Sequence, residues 1–182
     1  MPSDSRKQGT QRASLAGAEQ DDRQFLTFTL GEEDYGVDIL KVQEIRGWSR
    51  VRPLPNAPPH ILGVLHLRGT IIPVVDMRQR FGLEPAEVDR TTVIIILRVE
   101  TGAGGRHVGI VVDQVDDVKA IPRQEIRTTP DLGTHVDTRY IEGIAAREEH
   151  MLMLLDADRL FGTDELTRMA QLAGQSDNET ER

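Results

Sequence analysis

GVLHLRGTIIPVVDMRQRFG, residues 63–82, has a counterpart eighty positions later in GIAAREEHMLMLLDADRLFG, residues 143–162. Ungapped alignment from Ile61 and Ile141 gives identities at Ile61/Ile141, Gly63/Gly143, Asp76/Asp156, Phe81/Phe161 and Gly82/Gly162. Aliphatic residues match at Val64/Ile144, Ile72/Leu152, Val74/Leu154 and Val75/Leu155. Upstream, at an offset of 73, Gly36-Val37 falls on Gly109-Ile110 and Val42…Ile45 on Val115…Val118. Five identities in 22 positions are within reach of chance for two β segments with glycine turns; the common order of elements across both halves makes them a repeat. Two copies of a roughly five-stranded unit imply two small β-barrels that close their own edges and share a core. The turns differ: LRGT in one copy and REEH in the other put Arg68 where the second has Glu148.

Reading outward, FLTFTL sets Leu26, Phe28 and Leu30 against threonines, the pattern of a half-buried strand, and GEED turns it into a second strand carrying Tyr35, Val37 and Ile39. The alternation breaks at Leu40 and resumes at Val42 and Ile45, which predicts a bulge or a short helical turn between two strand pieces. PLPNAPP is an extended loop, because each proline removes a ladder donor, and PPHILG is expected to make one helical turn. TVIIIL, residues 92–97, reads as a strand buried on both faces, TGAGGR as its hairpin turn, and HVGIVVDQVDDVKAI as a long strand or bent pair. Residues 127–140 are turn-rich and polar, hence loop. TDELTRMAQLAG has an acidic start, apolar Leu166, Met169 and Leu172 and a closing glycine, so residues 163–174 form a short amphipathic helix.

Only 38% of the residues are hydrophobic and 4% aromatic, and two polar tails, residues 1–23 and 175–182, dilute the average and read as disordered. The net charge of -8 argues against electrostatically driven binding to nucleic acid or anionic membrane and leaves proteins as partners. With no cysteine there is no disulfide, thiolate nucleophile or Cys-ligated metal, and with no apolar leader or membrane-length run the chain reads as cytoplasmic, without direct membrane insertion.

The inventory for catalysis is thin. Of five serines only Ser49 lies outside the tails, and no glycine-flanked elbow surrounds it. His60, His66, His107, His135 and His150 show no HExxH or HxH spacing, so no metal site, cofactor or catalytic residue is expected. Asp113, Asp116 and Asp117 read as a solvated edge, since adjacent strand residues face opposite ways. Arg68 stands out against this background. As a turn residue in a surface ion pair it contributes only about 0–1 kcal/mol, whereas at a protein interface its planar guanidinium makes bidentate bonds.

FTLGEEDYGVDILKVQEIRGW, then ILGVLHLRGTIIPVVDMRQRFG, then HVGIVVDQVDDV resemble the CheW family, the coupling proteins of bacterial chemotaxis, from about Gln24 to Phe161. The resemblance implies an all-β protein of two SH3-like five-stranded β-barrel subdomains. One spans about 24–88 and the other about 89–162, with room for strands shared between them, followed by the short helix. It also implies a non-catalytic adaptor that links the cytoplasmic hairpin tip of chemoreceptors to the regulatory domain of the histidine kinase CheA, in hetero-complexes within signalling arrays at the membrane. Carried over by position, receptor binding falls on Val42, Glu44, Ile45, Gly63, Arg68, Val115 and Val118. The matched strands would wall an apolar groove, and Arg68 with Glu44 would sit at its rim. Where the family usually has asparagine before the LRG turn, this chain has His66. Two other readings compete. One is a coupling protein of a parallel pathway for pili, development or gene expression, which neighbouring genes would reveal. The other is a ligand-binding or hydrolytic β-barrel, which thermal shifts with metals and metabolites would reveal.

Overall fold

The computed structural model describes residues 21–102, 104–128 and 137–180. Gly31, at φ +63°, turns β1 (Asp22–Leu30) into β2 (Glu33–Asp38). The Asp38 carboxylate then accepts the Leu40 N–H and starts a 3-10 turn over Ile39–Lys41, the helical turn expected where the alternation breaks, which leads into β3 (Val42–Gly47). Beyond the proline loop come β4 (Ile61–Leu67), β5 (Thr70–Asp76) and the four-residue helix α1 (Met77–Arg80). The second half follows with β6 (Val93–Thr101), β7 (Gly104–Val112), β8 (Gln114–Pro122), β9 (Ile141–Arg147), β10 (His150–Leu155), α2 (Ala157–Leu160) and the closing helix α3 (Thr163–Thr180). Asp76 and Asp156, matched in the repeat, are the N-caps of α1 and α2, Asp76 accepting the Arg78 and Gln79 N–H groups and Asp156 that of Asp158.

The ten strands form two five-stranded sheets, ordered β8-β1-β2-β10-β9 and β3-β6-β7-β5-β4. Exchanging each strand for its repeat partner converts one order into the other. The registers obey the same symmetry. Parallel pairing sets Val74 on Gly109 and Val75 on Ile110 in one sheet, and Leu154 on Gly36 and Leu155 on Val37 in the other. Each sheet therefore combines the hairpin of one repeat with three strands of the other. A cut near residue 88 separates the repeats in sequence but divides neither sheet from its fellow. The strand ladders do not close: β8 and β9 are edges of one sheet, β3 and β4 of the other.

Three apolar clusters result. The largest lies between the sheets and takes Leu26, Phe28, Leu30, Tyr35 and Val37 from one and Ile95, Leu97, Val99, Val108, Ile110 and Val112 from the other. Ile94 and Ile96 point the opposite way, into a second cluster with Leu65, Ile72, Val74 and Val111. Phe25, Ile121, Ala145, Leu152 and Leu154 fill the third. This two-sided burial is the reason the run at Ile94–Leu97 shows no alternation.

Several expectations change. β1 begins at Asp22, because Arg23 ion-pairs with Asp38 and Glu142 and lies over the Phe25 ring, giving a polar residue a reason to be in strand. β1 is also more than half-buried. Thr27 is inside, its hydroxyl donating to the Asp117 carbonyl and accepting the Asp117 N–H. PPHILG forms a single turn closed by the Ile61 N–H on the Pro58 carbonyl, not a helix, since β4 claims Ile61 onward. α3 continues past Gly174, which ends nothing, because the chain beyond it supplies no αL cap or proline and a helix tolerates one glycine at about 1 kcal/mol. Asp113 is no solvated edge residue but is ion-paired with Arg78. Residues 1–20 of the N-terminal tail, most of the 127–140 loop including His135, and residues 181–182 lie outside the described residues.

Tyr35 stacks on Phe28 with ring centroids 5.8 Å apart and tilts against Phe81 at 5.6 Å. Its burial, reinforced by the nearby Glu33 carboxylate, raises the phenol well above its ordinary value of 10.0. The folded-state value lies above the unfolded one, so this contribution is whole below about pH 10 and is lost as pH rises further. The expected result is a melting temperature that falls above pH 10, with a flatter alkaline limb for Tyr35→Phe in parallel thermal scans.

Candidate functional site

β3 is an edge strand, so on its outer side no further strand pairs with it. Its residues alternate. Val42 packs against the central core, Glu44 is half-buried and Ile45 is 45% exposed. The pseudo-equivalent edge strand β8 repeats the arrangement: Val115 packs against the same core and Val118 is 44% exposed. Of the two predicted apolar pairs, the first member of each thus serves packing and the second is presented to solvent. Leu40, 83% exposed on the 3-10 turn before β3, extends the apolar surface. The broken alternation at Leu40 was the signal that its side chain is not directed into the core.

Arg68 occupies the first turn position between β4 and β5 at φ +52°, followed by Gly69 at φ +78°, with Leu67 and Thr70 closing the hairpin. Two consecutive positive φ angles make the tight hairpin turn whose hand suits twisted strands. A left-handed conformation costs a side-chain-bearing residue roughly 1–2 kcal/mol. Glu148 adopts the same φ of +52° at the matched position. The two copies therefore share the conformation and differ in the charge. Arg68 is 82% exposed, and its Nη2 lies 3.6 Å from Glu44 Oε2; on the other side of Glu44, Arg46 Nε stands 4.0 Å from Oε1. An ion pair this exposed contributes only about 0–1 kcal/mol, and the turn is the same with Glu148 in the other copy, so neither stability nor the turn accounts for the arginine. Because β4 and β3 are opposite edges of one sheet, the contact also shows the sheet coiling until its edges approach. The other sheet does the same through Arg147 on β9, whose Nη2 donates to the Ala120 carbonyl on β8 at 3.1 Å.

Gly63 belongs to this region as backbone. At φ +152° it runs beneath the Arg52 segment, which is joined to β4 by Arg52 N–H to Val64 O at 2.9 Å and Val64 N–H to Arg52 O at 2.8 Å; a Cβ at 63 would stand 2.0 Å from the Arg52 oxygen. Arg127 and Ile144 form the same bridge above Gly143. His66 is exposed on β4, opposite Ile71. Among the described residues no three His, Asp or Glu side chains gather in a way that could hold a metal ion, and no helix is long and apolar enough to cross a membrane.

Exposed aliphatic side chains on two edge strands, one of which also carries a partly exposed ion pair, are the chemistry of a protein-docking surface. Residues 24–165 match the CheW-like domain. The chain is 42% identical to the chemotaxis protein CheW of Klebsiella aerogenes, over 88% of this chain and 94% of that one, and 36% identical to its namesake in Rhizobium meliloti, over 79% and 90%. The crystal structure of the scaffolding protein TtCheW from Thermoanaerobacter tengcongensis superposes with a TM-score of 0.71 at 33% identity, covering 79% of this chain and 90% of that one. This chain belongs to the CheW family.

Proposed function

We propose that this chain is a non-catalytic coupling protein of bacterial chemotaxis. In this reading it holds the cytoplasmic hairpin tip of a chemoreceptor on one surface and the regulatory domain of the kinase CheA on another, in cytoplasmic arrays attached to the membrane through its partners. We read its two coiled sheets as SH3-like barrels, supported by the Arg68–Glu44 and Arg147–Ala120 contacts that draw opposite edges together. The receptor surface comprises Val42, Glu44, Ile45 and Arg68 on one side and Val115 and Val118 on the other, with Gly63 shaping the backbone beneath. The observation that carries this reading is Arg68, 82% exposed at a turn whose matched copy holds Glu148, with an ion pair too exposed to account for it. Ile45 and Val118 supply apolar area for an amphipathic helical tip, and the charges at the rim set register and on-rate.

The test is co-assembly. Purified protein mixed with a receptor cytoplasmic fragment and CheA is expected to bind both at micromolar concentrations and to couple receptor state to kinase autophosphorylation; binding to neither overturns the reading. A relative named FrzA from Myxococcus xanthus, 28% identical over 82% of this chain and 92% of its own, shows that likeness to this chain extends beyond proteins named CheW. The alternative, the same adaptor in a parallel pathway, is distinguished by whether the protein co-assembles with the flagellar receptor–kinase pair or with another.

A further inference from the structure

Exchange of hairpins between two similar repeats raises a question of specificity. β2 fits beside β10, yet β5 offers a matching strand in its own repeat; β7 fits beside β5, yet β10 offers another. The parallel registers are superimposable, so backbone pairing does not choose between a fold that exchanges hairpins and one in which each repeat closes on itself.

Two ion pairs stand where the choice is made. Behind β5, α1 sends Arg78 to Asp113, which lies between β7 and β8; Nε donates to Oδ1 at 2.7 Å and Nη2 to Oδ2 at 2.6 Å. Behind β10, α2 carries Asp158 at the position matching Arg78, and it receives Lys41, which lies between β2 and β3, with Nζ 2.9 and 3.0 Å from its two oxygens. Lys41 and Asp113 stand one position apart in the repeat alignment, each in the junction that follows the exchanged hairpin. Both pairs join one repeat to the other, and their polarity is inverted: helix cation with junction anion in the first, helix anion with junction cation in the second. If each repeat kept its own hairpin, Lys41 would face Arg78 and Asp113 would face Asp158, like against like in both places.

We infer that this charge inversion specifies hairpin exchange, by making the exchanged pairing attractive at both junctions and the self-closed pairing repulsive at both. Its action is to exclude an alternative, which counting native contacts would not reveal. Asp113 also accepts the Gly31 N–H at 2.8 Å and Asp158 the Glu100 N–H at 2.8 Å, which orients both acids in the exchanged fold.

The test separates specificity from stability. Arg78→Asp combined with Asp113→Arg keeps an attractive pair at both junctions of the native fold but gives both repeats the same polarity, so self-closure becomes attractive too. The chain has no cysteine, which permits clean disulfide reporters at exposed sites. Gln24→Cys with Ala120→Cys reports exchange, since these residues are opposed in the β1–β8 ladder. Gln24→Cys with Gly47→Cys reports self-closure, Gly47 being the repeat equivalent of Ala120 and having open space at its Cβ. Each reporter is refolded by rapid dilution under oxidising conditions, and the monomeric cross-linked product is counted. With native charges the 24–120 product is expected alone. In the Arg78→Asp/Asp113→Arg background the 24–47 product rises by roughly tenfold or more, as removal of two like-charge contacts would allow, while equilibrium melting moves only a few degrees. No 24–47 product in that background, or an equal amount with native charges, overturns the inference.

Discussion

The Arg68→Glu variant is expected to fold, to melt within a few degrees of the parent, and to fail in coupling receptors to kinase autophosphorylation. The side chain is 82% exposed and makes one long ion pair, so removing it costs about 0–1 kcal/mol of stability. The turn is retained, because Glu148 already occupies the matched position at the same φ. At the docking surface the change is larger. At the rim of the proposed surface the reversal turns an attraction into a like-charge contact, which costs several kcal/mol, a loss of roughly 30- to 1000-fold in affinity, and the new carboxylate faces Glu44 as well. Adding Glu44→Arg restores the intramolecular pair with reversed polarity. If coupling returns in that double variant, the ion pair acts as a unit whichever residue carries which charge; if it stays absent, the charges are needed at their own positions, as contact with the partner requires, and this is the expected outcome. Undiminished coupling by Arg68→Glu would return the residue to the status of an ordinary turn cation.

The largest loss of stability is expected from Gly63→Ala. A methyl group 2.0 Å from the Arg52 oxygen meets backbone, which cannot rotate away as a side chain could, and φ +152° is itself unfavourable for alanine. The Arg52 segment must lift from β4 and give up both hydrogen bonds to Val64. Strain and the two lost bonds together cost about 2–4 kcal/mol, or a fall of roughly 5–15 °C in melting temperature for a domain of this size. At the matched Gly143 an alanine Cβ meets the Ile126 methyl first, at 2.6 Å, and the Arg127 oxygen at 2.9 Å. The methyl can move, so Gly143→Ala is expected to cost less. Differential scanning calorimetry of the two variants measures the contrast, and equal melting temperatures would contradict it.

Both glycines were visible in the sequence as matched positions, and so were the helix-capping aspartates and the central isoleucine run. These are local demands: a close backbone approach, an orphan N–H, a strand covered on both faces. The exchange of hairpins was not legible, because periodicity shows which face of β2 is apolar but β5 and β10 offer it equivalent partners. Thr27 was misplaced for a related reason: a threonine in an alternating strand reads as solvent-facing until β8 is found beside it, with the Asp117 backbone bonded to its hydroxyl. At the proposed docking surface, spacing grouped Ile45 and Val118 with Val42 and Val115, and the structure separates them into two exposed and two packed residues. Which members pack inward depends on the core beneath the edge strands, and only the three-dimensional arrangement supplies that. The Arg68–Glu44 contact was anticipated as a rim pair, although its bridging of two opposite sheet edges was not.

The pairing of β1 with β8 places Leu26 opposite Val118, and this separation governs how the chain emerges during synthesis. Translation at roughly 5–20 residues per second leaves a finished β1–β2 hairpin waiting seconds to tens of seconds before the strand that flanks it exists. For that interval Phe25, Leu26 and Phe28 lack the sheet they occupy in the finished fold, and a two-stranded hairpin alone is marginal in water. The first repeat thus reaches its place in the two sheets only once the second has been made. Its vulnerability to aggregation is set by the time needed to make the second.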